Sequence, residues 1–228
     1  MKMNKQILFN GVEIGISTRA DGDMRFFDDG DEQRIIDNQG RLGELVGLPK
    51  ARVARIRTVY DGRDSYNEYF EVTEEDLQNY CIDQPEKDIK VSDGLATKCS
   101  NLGILLPLAD CLGAVFYDEE QKIIGLLHAG RHNIEQNGPE NYVKFLEEHF
   151  GSDVSKLKVY FSPCARNYPI FTADNRKLID VALEQLLNNG ILEENIVDSG
   201  VDVVADRSYP SCSRGDKTER FAVVVKQN

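Results

Sequence analysis

The sequence predicts an α/β fold formed by a single domain that spans residues 1–228. At 228 residues with 41% hydrophobic side chains, the chain is long enough to bury a substantial core. Strand-sized apolar runs bounded by turn residues recur along it, most clearly within residues 103–130. Other stretches have apolar residues at helical spacing, such as residues 139–150. Strands interspersed with amphipathic helices are typical of α/β proteins.

The first quarter of the chain predicts a hairpin, a helix and a further strand. Residues 5–10 and 12–17 are apolar enough for two short strands, and an Asn-Gly pair between them suits a tight turn. Residues 32–46 have helical spacing and are followed by Gly and Pro, which end helices. Residues 51–60 alternate apolar and basic side chains as in a strand, which would place Tyr60 at the strand's end.

The polar segments next to these elements are predicted to be loops. Residues 20–32 are rich in Asp and Gly and have no period, so they form either a loop that closes over a site or a solvated acidic surface loop. Residues 61–92 are also polar, and contain one predicted helix from Thr73 to about Tyr80.

The stretch from Gly103 to Gly130 contains the main candidates for chemistry. Three short apolar runs predict buried strands, so Cys111 and His128 would lie at or near strand ends. A cysteine and a histidine on neighbouring strands can form a thiolate–imidazole pair or two of the ligands of a zinc ion. Each can also be an ordinary core or capped residue. His132, four residues further on, is a weaker candidate ligand.

The second half of the chain continues the same mixture of elements. A loop between its last two strands carries Arg207, Arg214, Lys217 and Arg220, which suggests a site for a phosphate or carboxylate or, equally, a solvated basic loop. The predicted strands are residues 156–161, 201–205 and 221–225. The predicted helices are residues 139–150 and a later helix, which would begin at a cap formed by Asp174 or Asn175 and end at residues 188–190.

Composition restricts the partners and the compartment. A net charge of −12 and a pI near 4.8 disfavour a nucleic-acid partner, because phosphate binding depends on Lys and Arg. Five widely spaced cysteines without a CxxC pair indicate free thiols in a reducing compartment. No apolar stretch reaches the length of a membrane span, and no secretion signal is evident, so we expect a cytoplasmic protein without a membrane partner.

Seven short motifs, in order, resemble those of the laccase-domain family, also called multicopper polyphenol oxidoreductases or peptidoglycan editing factors. Glycine-rich phosphate loops, GxSxG elbows and HExxH motifs do not occur. The motifs that carry the resemblance are Gly15–Arg19, Asn38–Leu48, Asp93–Thr97, Leu108–Cys111, His128–Gly130, Ser162–Pro163 and Ser211–Arg220.

The resemblance implies a mixed β-sheet flanked by helices, in the cysteine-hydrolase-like fold of the laccase domain. It also implies a metal or thiol site formed by Cys111, His128 and a first histidine, whose position in this chain is occupied by Tyr60. Members of the family are described as purine nucleoside phosphorylases with adenosine deaminase activity, and as hydrolytic editors of peptidoglycan precursors. The laccase label refers to copper-dependent oxidation of phenols.

Three functions are therefore hypotheses. In the first, a zinc ion is held by Cys111, His128 and one of Tyr60, His132 or water, and the enzyme acts on a nucleoside together with phosphate; copper is not expected. In the second, Cys111 is a metal-free nucleophile and His128 its base, as an editor of peptidoglycan precursors would require. In the third, the chain is a pseudoenzyme or interaction protein that retains the fold.

Three arginines are predicted to bind the anionic part of a substrate in the first hypothesis. They are Arg19, Arg131 and Arg214, each from one of the motifs above or directly after it. Arginine suits this role because its planar guanidinium donates paired, charge-assisted hydrogen bonds to phosphate or carboxylate.

Overall fold

The computed structural model describes residues 3–26, 31–167 and 175–228, and within them eleven strands form two mixed sheets with helices outside. No helix in these ranges is long and apolar enough to cross a bilayer. The strands are β1 Asn4–Leu8, β2 Val12–Ile16, β3 Val53–Arg55, β4 Tyr69–Glu71, β5 Gly94–Thr97, β6 Gly103–Leu108, β7 Leu112–Asp118, β8 Ile123–Ala129, β9 Lys158–Phe161, β10 Ile196–Asp198 and β11 Phe221–Gln227. The helices are α1 Glu32–Leu45, α2 Arg131–Glu135, α3 Gly138–Phe150 and α4 Leu178–Asn188.

The first sheet has the strand order β1-β2-β11-β6-β3. The predicted β1–β2 hairpin is confirmed, and its turn holds Phe9 and Asn10 at φ values of 53° and 57°, as a tight hairpin turn requires. Strand β11 is antiparallel to both β2 and β6, so that Val223 lies opposite Ile16 on one side and Leu106 on the other. The shortest strand, β3, is parallel to β6.

The second sheet has the order β10-β9-β7-β8-β5-β4. Its centre is antiparallel, whereas β4 pairs with β5 and β10 with β9 in parallel. The mixed α/β class is therefore confirmed, as are the strands predicted within residues 103–130. The chain leaves the first sheet at the end of β6 and enters the second at β7, so the β6–β7 turn lies at one end of both sheets.

The two sheets pack face to face, and helices cover their outer faces. The inner core joins Leu106 and Val223 of the first sheet to Val115 and Leu126 of the second. Helices α3 and α4 pack on the outer face of the second sheet, and α1 packs on the outer face of the first. The resulting order of layers is helix, sheet, sheet, helix, which explains why β7, β8 and β11 are almost continuously apolar: both of their faces are buried.

Two predictions for the first half of the chain are wrong in extent. The strand predicted over 51–60 ends at Arg55, opposite Leu105 of β6, and after Ile56 donates to the Leu105 carbonyl the chain leaves the sheet. Tyr60 therefore lies beyond the strand rather than at its end. The helix predicted from Thr73 is only a 3-10 turn, Asp76–Asn79, because the Asp76 carboxylate binds back to Thr73.

Further corrections concern the second half. Residues 201–205 do not form a strand: a single bridge joins Asp202 to Cys164, and the Asp202 carboxylate then accepts the Val204 N–H, which turns the chain. The strand that pairs with β9 in this region is β10, residues Ile196–Asp198. Helix α4 begins after Lys177, without a side-chain cap, so Asn175 does not cap it; Asp174 is outside the described residues. Strands β4 and β5 and helix α2 were not predicted, while α1, α3, α4, β9 and β11 are confirmed.

Candidate active site

Cys111 and His128 meet at the end of the two sheets. Cys111 is in the β6–β7 turn, and His128 is the last but one residue of β8, opposite Gly113 of β7. Because side chains alternate along a strand, His128 points to the same inner face as Leu126. A Cβ atom on Gly130 would lie 3.1 Å from His128 Nε2 and 3.2 Å from the Cys111 Sγ, so both atoms converge on one point.

Tyr60 reaches this point from the segment that follows β3. Its hydroxyl oxygen lies 3.3 Å from His128 Nε2, and it also hydrogen-bonds the Cys111 thiol. The Tyr60 ring lies at the mouth of the site, where 53% of the residue is exposed, with the His132 ring 6.0 Å away between centroids. The three residues predicted from the sequence are thus adjacent in space.

All three side chains are neutral near pH 7. Burial, together with the positive charges of Arg25 and Arg220, lowers the pKa of His128 to about 3. Burial and the nearby Asp110 carboxylate raise the pKa of the Cys111 thiol to about 11. The pKa of Tyr60 is also raised well above its ordinary value, first by desolvation of its hydroxyl. The site therefore contains a thiol, a phenol and a neutral imidazole rather than an ion pair.

A buried carboxylate supports the strand that carries His128. The backbone N–H of His128 donates to the Asp93 carbonyl at 2.8 Å. The Asp93 side chain is bound by Arg63 at 3.1 Å and accepts the backbone N–H of Glu68. Burial raises the pKa of Asp93, whereas these donors lower it. Asp93 belongs to the motif Asp93–Thr97. Through its carbonyl and its carboxylate it holds the end of β8 against the segment that precedes β4.

A cavity of about 470 Å³ opens in front of the three side chains. Its walls comprise an apolar strip at the end of β6, the polar site itself, and three arginines. The lining residues are Arg25, Thr58, Tyr60, Pro107, Leu108, Ala109, Asp110, Cys111, His128, Arg131, His132, Cys212, Ser213 and Arg220.

The loop before β11 forms one wall of this cavity, and Asp110 attaches it. The Asp110 carboxylate accepts hydrogen bonds from the Ser211 hydroxyl, the Ser213 hydroxyl and the Ser213 N–H, each at 2.7 Å. Because Asp110 directly precedes Cys111, the loop is fixed to the same turn that carries the thiol. Cys212 lies between the two serines and also lines the cavity, and none of the five cysteines is in a disulfide.

The structure brings only one of the three predicted arginines to the cavity. Arg131, at the start of α2, lines it, whereas Arg19 forms ion pairs with Asp216 at 2.7 Å and with Glu219. Arg214 donates to the carbonyl oxygens of Val203 and Val204 at 2.9 and 3.2 Å and pairs with Asp216. Arg19 and Arg214 thus hold the loop before β11 in place, and their predicted role in substrate binding has no support from this geometry.

Two further arginines line the cavity beside Arg131. Arg220 belongs to the basic loop whose concentration of positive charge suggested a site for a phosphate or carboxylate. Arg25 gives no such signal, since it lies in an Asp-rich segment. It reaches the cavity by donating to the Thr58 carbonyl at 3.3 Å, a contact between distant parts of the chain.

The order of motifs agrees with a comparison against known families. A family model described as multi-copper polyphenol oxidoreductase laccase matches residues 9–170, which is more than half of the chain. The chain belongs to this family. Cys111, His128 and Tyr60 all fall within the part of the chain that the laccase model matches.

Several curated proteins with sequences similar to this chain are named purine nucleoside phosphorylases. One from Staphylococcus saprophyticus is 31% identical over 136 residues, 56% of this chain. One from Campylobacter jejuni is 31% identical over 151 residues, 58% of this chain. The chain covers 49% and 66% of the lengths of these two relatives.

Solved structures support the laccase-family fold over nearly the whole chain. YlmD from Geobacillus stearothermophilus superposes with a TM-score of 0.84 at 19% identity, covering 96% of this chain and 93% of its own. The hypothetical protein YfiH from Bacillus licheniformis gives 0.82 at 20% identity, covering 100% and 97%. At these identities the likeness concerns the fold alone.

The donor set of this chain does not fit the metal that the laccase family implies. Zinc and copper sites in proteins use at least three side-chain ligands, usually neutral imidazole, thiolate or carboxylate. Among the described residues, no group of three or more His, Cys, Asp and Glu side chains could hold a metal ion. Cys111 and His128 supply two donors, and the neutral phenol of Tyr60 is a poor third ligand. The predicted zinc site therefore lacks support, and no step below depends on a metal.

Proposed function

We propose that the chain is an enzyme that cleaves purine nucleosides with phosphate in the cavity around Cys111 and His128. The observation that carries this proposal is that Arg25, Arg131 and Arg220 line the cavity containing these two side chains. Guanidinium groups bind phosphate through charge-assisted hydrogen bonds. A volume of about 470 Å³ is within the usual range for small-molecule sites. The relatives named purine nucleoside phosphorylases support the choice of substrate.

The proposed reaction needs only positioned charge and hydrogen-bond donors from the protein. An oxygen of phosphate forms a bond to C1′ of the ribose while the bond from C1′ to the purine nitrogen breaks. The electron pair of that bond stays on the purine, which takes up one proton through water, and hydrogen phosphate gives up one proton as it becomes the sugar phosphate, so that protons balance. The arginines hold the phosphate in line with C1′, and the apolar strip of Pro107 and Leu108 contacts the purine. Neither a thiolate nor a metal takes part.

Product analysis tests this proposal. The purified chain is incubated with inosine or adenosine, with and without phosphate, and the free base and ribose 1-phosphate are separated by chromatography. We expect equal amounts of both products and only when phosphate is present. Arg131→Ala should raise the KM for phosphate about tenfold or more, because a charge-assisted hydrogen bond contributes about 1.5–3 kcal/mol.

A matched arginine controls for the change in net charge. Arg207 is exposed and is not among the cavity-lining residues, so Arg207→Ala should leave the KM for phosphate unchanged. Release of base without phosphate, or equal effects of the two substitutions, would contradict the proposal. The metal-free cysteine nucleophile is less favoured, because a thiol with a pKa of about 11 is protonated at neutral pH.

A second candidate is a nucleoside-binding protein that has lost catalysis. The observation that favours it is the hydrogen bond between the Tyr60 hydroxyl and His128 Nε2, which occupies this imidazole nitrogen. Calorimetric titration with inosine separates the two candidates. Saturable binding that Arg131→Ala weakens, with no base released, supports the second; phosphate-dependent release of base supports the first.

A further inference from the structure

The hydroxyl of Tyr60 lies between the two side chains that could ligate a metal in this pocket. It is 3.3 Å from His128 Nε2 and is hydrogen-bonded to the Cys111 thiol. In a metal site, the imidazole lone pair and the sulfur would instead point at one ion, about 2.0–2.3 Å from each. Tyr60 thus uses the donor atoms that a metal would need.

The length of the tyrosine side chain places its oxygen close to where a metal ion would lie. Tyrosine carries its oxygen roughly 2 Å further from Cα than histidine carries Nε2, as standard bond lengths give, and this difference is about one zinc–nitrogen bond. The Tyr60 oxygen therefore lies near the place of a metal ion that a histidine at position 60 would bind.

The Tyr60 hydroxyl is a shared partner of these two side chains. Its oxygen lies 3.3 Å from His128 Nε2 and it is hydrogen-bonded to Cys111, and Nε2 and the Cys111 sulfur lie 3.1 and 3.2 Å from the position of a Cβ atom on Gly130. The polar atoms of Cys111 and His128 thus contact the same hydroxyl without an ion.

Other side chains near the pocket are engaged elsewhere. The His132 ring stacks on Tyr66 at 4.9 Å between centroids, and its Nδ1 lies 3.5 Å from a Glu135 carboxylate oxygen. The Asp110 carboxylate is bound by the loop before β11. Neither is thus directed at the point where Cys111 and His128 converge.

We propose that the Tyr60 hydroxyl takes the place of a metal ion in this pocket, linking Cys111 to His128 by hydrogen bonds, so that the chain keeps a family metal pocket in a metal-free form. A single substitution, Tyr60→His, supplies the missing ligand and creates a zinc site. This inference does not depend on the reaction proposed above, since it concerns the occupancy of the pocket and not the substrate.

Metal titration of the full chain, purified without an affinity tag, tests the inference. We expect the wild type to retain no stoichiometric zinc after dialysis, and Tyr60→His to bind about one equivalent, as a three-ligand site should. With cobalt(II) as the probe, Tyr60→His should show the thiolate–metal charge-transfer absorption that the wild type lacks. The double variant Tyr60→His with Cys111→Ala should lose both signals.

Two controls make the outcome decisive. Tyr60→Phe removes the hydroxyl without adding a ligand, so it should bind zinc at least tenfold more weakly than Tyr60→His. Circular dichroism establishes that each variant is folded, and if Tyr60→His is unfolded, the wild type and Tyr60→Phe still decide the question. Stoichiometric zinc in the wild type that is lost in Cys111→Ala would overturn the inference. So would a folded Tyr60→His variant that binds no zinc.

Discussion

Gly130 shows how closely the site is packed at the scale of single residues. It follows β8 directly, and the two side chains that converge on it leave no room for a Cβ atom. Its role is close approach, because the His128 ring and the Cys111 sulfur occupy the space that any other residue would fill. The position of the imidazole thus depends on a residue that itself carries no functional group.

Gly130→Ala is expected to disturb the site and the fold together. The new methyl group would lie 2.6 Å from His128 Cε1, so the imidazole must move, and overpacking of this kind costs about 1–3 kcal/mol. Urea unfolding and calorimetric titration with inosine measure the two effects. Gly40→Ala in α1 is the control: its methyl would meet nothing nearer than 3.5 Å, so stability should not fall. Normal inosine binding by a stable Gly130→Ala variant would contradict this account.

The sequence allowed most residues of the site to be predicted, but not Arg25. Cys111 and His128 lie at or next to the ends of buried strands whose apolar runs are evident, and a strand end is a local property that the sequence records. Arg25 joins the cavity through a contact with the segment at Thr58, more than thirty residues away. No local pattern encodes such a contact. Arg19 and Arg214, chosen by motif, both pair with Asp216 and do not line the cavity.

At the scale of elements, the loop before β11 depends on one carboxylate in the β6–β7 turn. Asp110 binds Ser211 and Ser213, about a hundred residues further along the chain, and so connects one cavity wall to the turn that carries Cys111. Arg214 and Asp216 then close the loop on itself. The wall is thus held by polar contacts and can be loosened without disturbing the core.

Asp110→Ala should loosen this loop selectively. Removing the carboxylate leaves the buried Ser211 hydroxyl without its acceptor, which costs about 1 kcal/mol, and frees the exposed Ser213 N–H and hydroxyl to bind water. Hydrogen exchange should accelerate in residues 211–216 and remain slow in β11. Asp206→Ala is a matched control in the same loop, since the Asp206 carboxylate accepts hydrogen bonds from the nearby Ser208 and does not bridge to the β6–β7 turn. Equal acceleration in both variants would refute a bridging role for Asp110.

The elements that the sequence did not predict correctly are short, or their extent depends on contacts with distant parts of the chain. Strands β4 and β5 have three and four residues, too few to show a period. The alternation within residues 51–60 suggested a longer strand, but its only neighbour in the sheet, β6, pairs with three of these residues. The longer helices were predictable because their apolar stripes extend over several turns.

At the scale of the whole molecule, the buried Arg55 connects the first sheet to the segment of Glu86 and to helix α1. Arg55 of β3 is fully buried, and its Nη2 lies 2.6 Å from a Glu86 carboxylate oxygen. Its Nη1 also donates to Gln39 of α1 at 3.2 Å. Burial lowers the pKa of Arg55 to about 10, which leaves it charged at neutral pH and dependent on its partner.

Glu86→Ala should destabilise the whole fold. It leaves the buried Arg55 guanidinium with Gln39 but without its carboxylate partner, which costs about 3 kcal/mol and lowers Tm by roughly 10 °C in a chain of this size. Thermal unfolding measured by circular dichroism tests this expectation. Glu74→Ala breaks an exposed pair with Arg52 and should leave Tm nearly unchanged. Similar decreases in both variants would show that burial of the pair is not the cause.

The α/β class could be predicted from the sequence, but the division into two facing sheets could not. Local patterns identify strands and not their partners, and β11 pairs with β2 and β6, which are far away in the chain. Residues 221–225 were predicted only as a strand, and the layer order of helix, sheet, sheet, helix explains why this run is continuously apolar.

The proposed replacement of a metal ion by Tyr60 also bears on how the two kinds of pocket can evolve into one another. Tyrosine and histidine codons differ only in their first base, so one pyrimidine transition at codon 60 would exchange the two side chains. A hydrogen-bonded pocket and an ion-binding pocket on this scaffold are therefore separated by a single point mutation. A lineage carrying this gene could cross between them in one step, without passing through an unfolded or half-built intermediate.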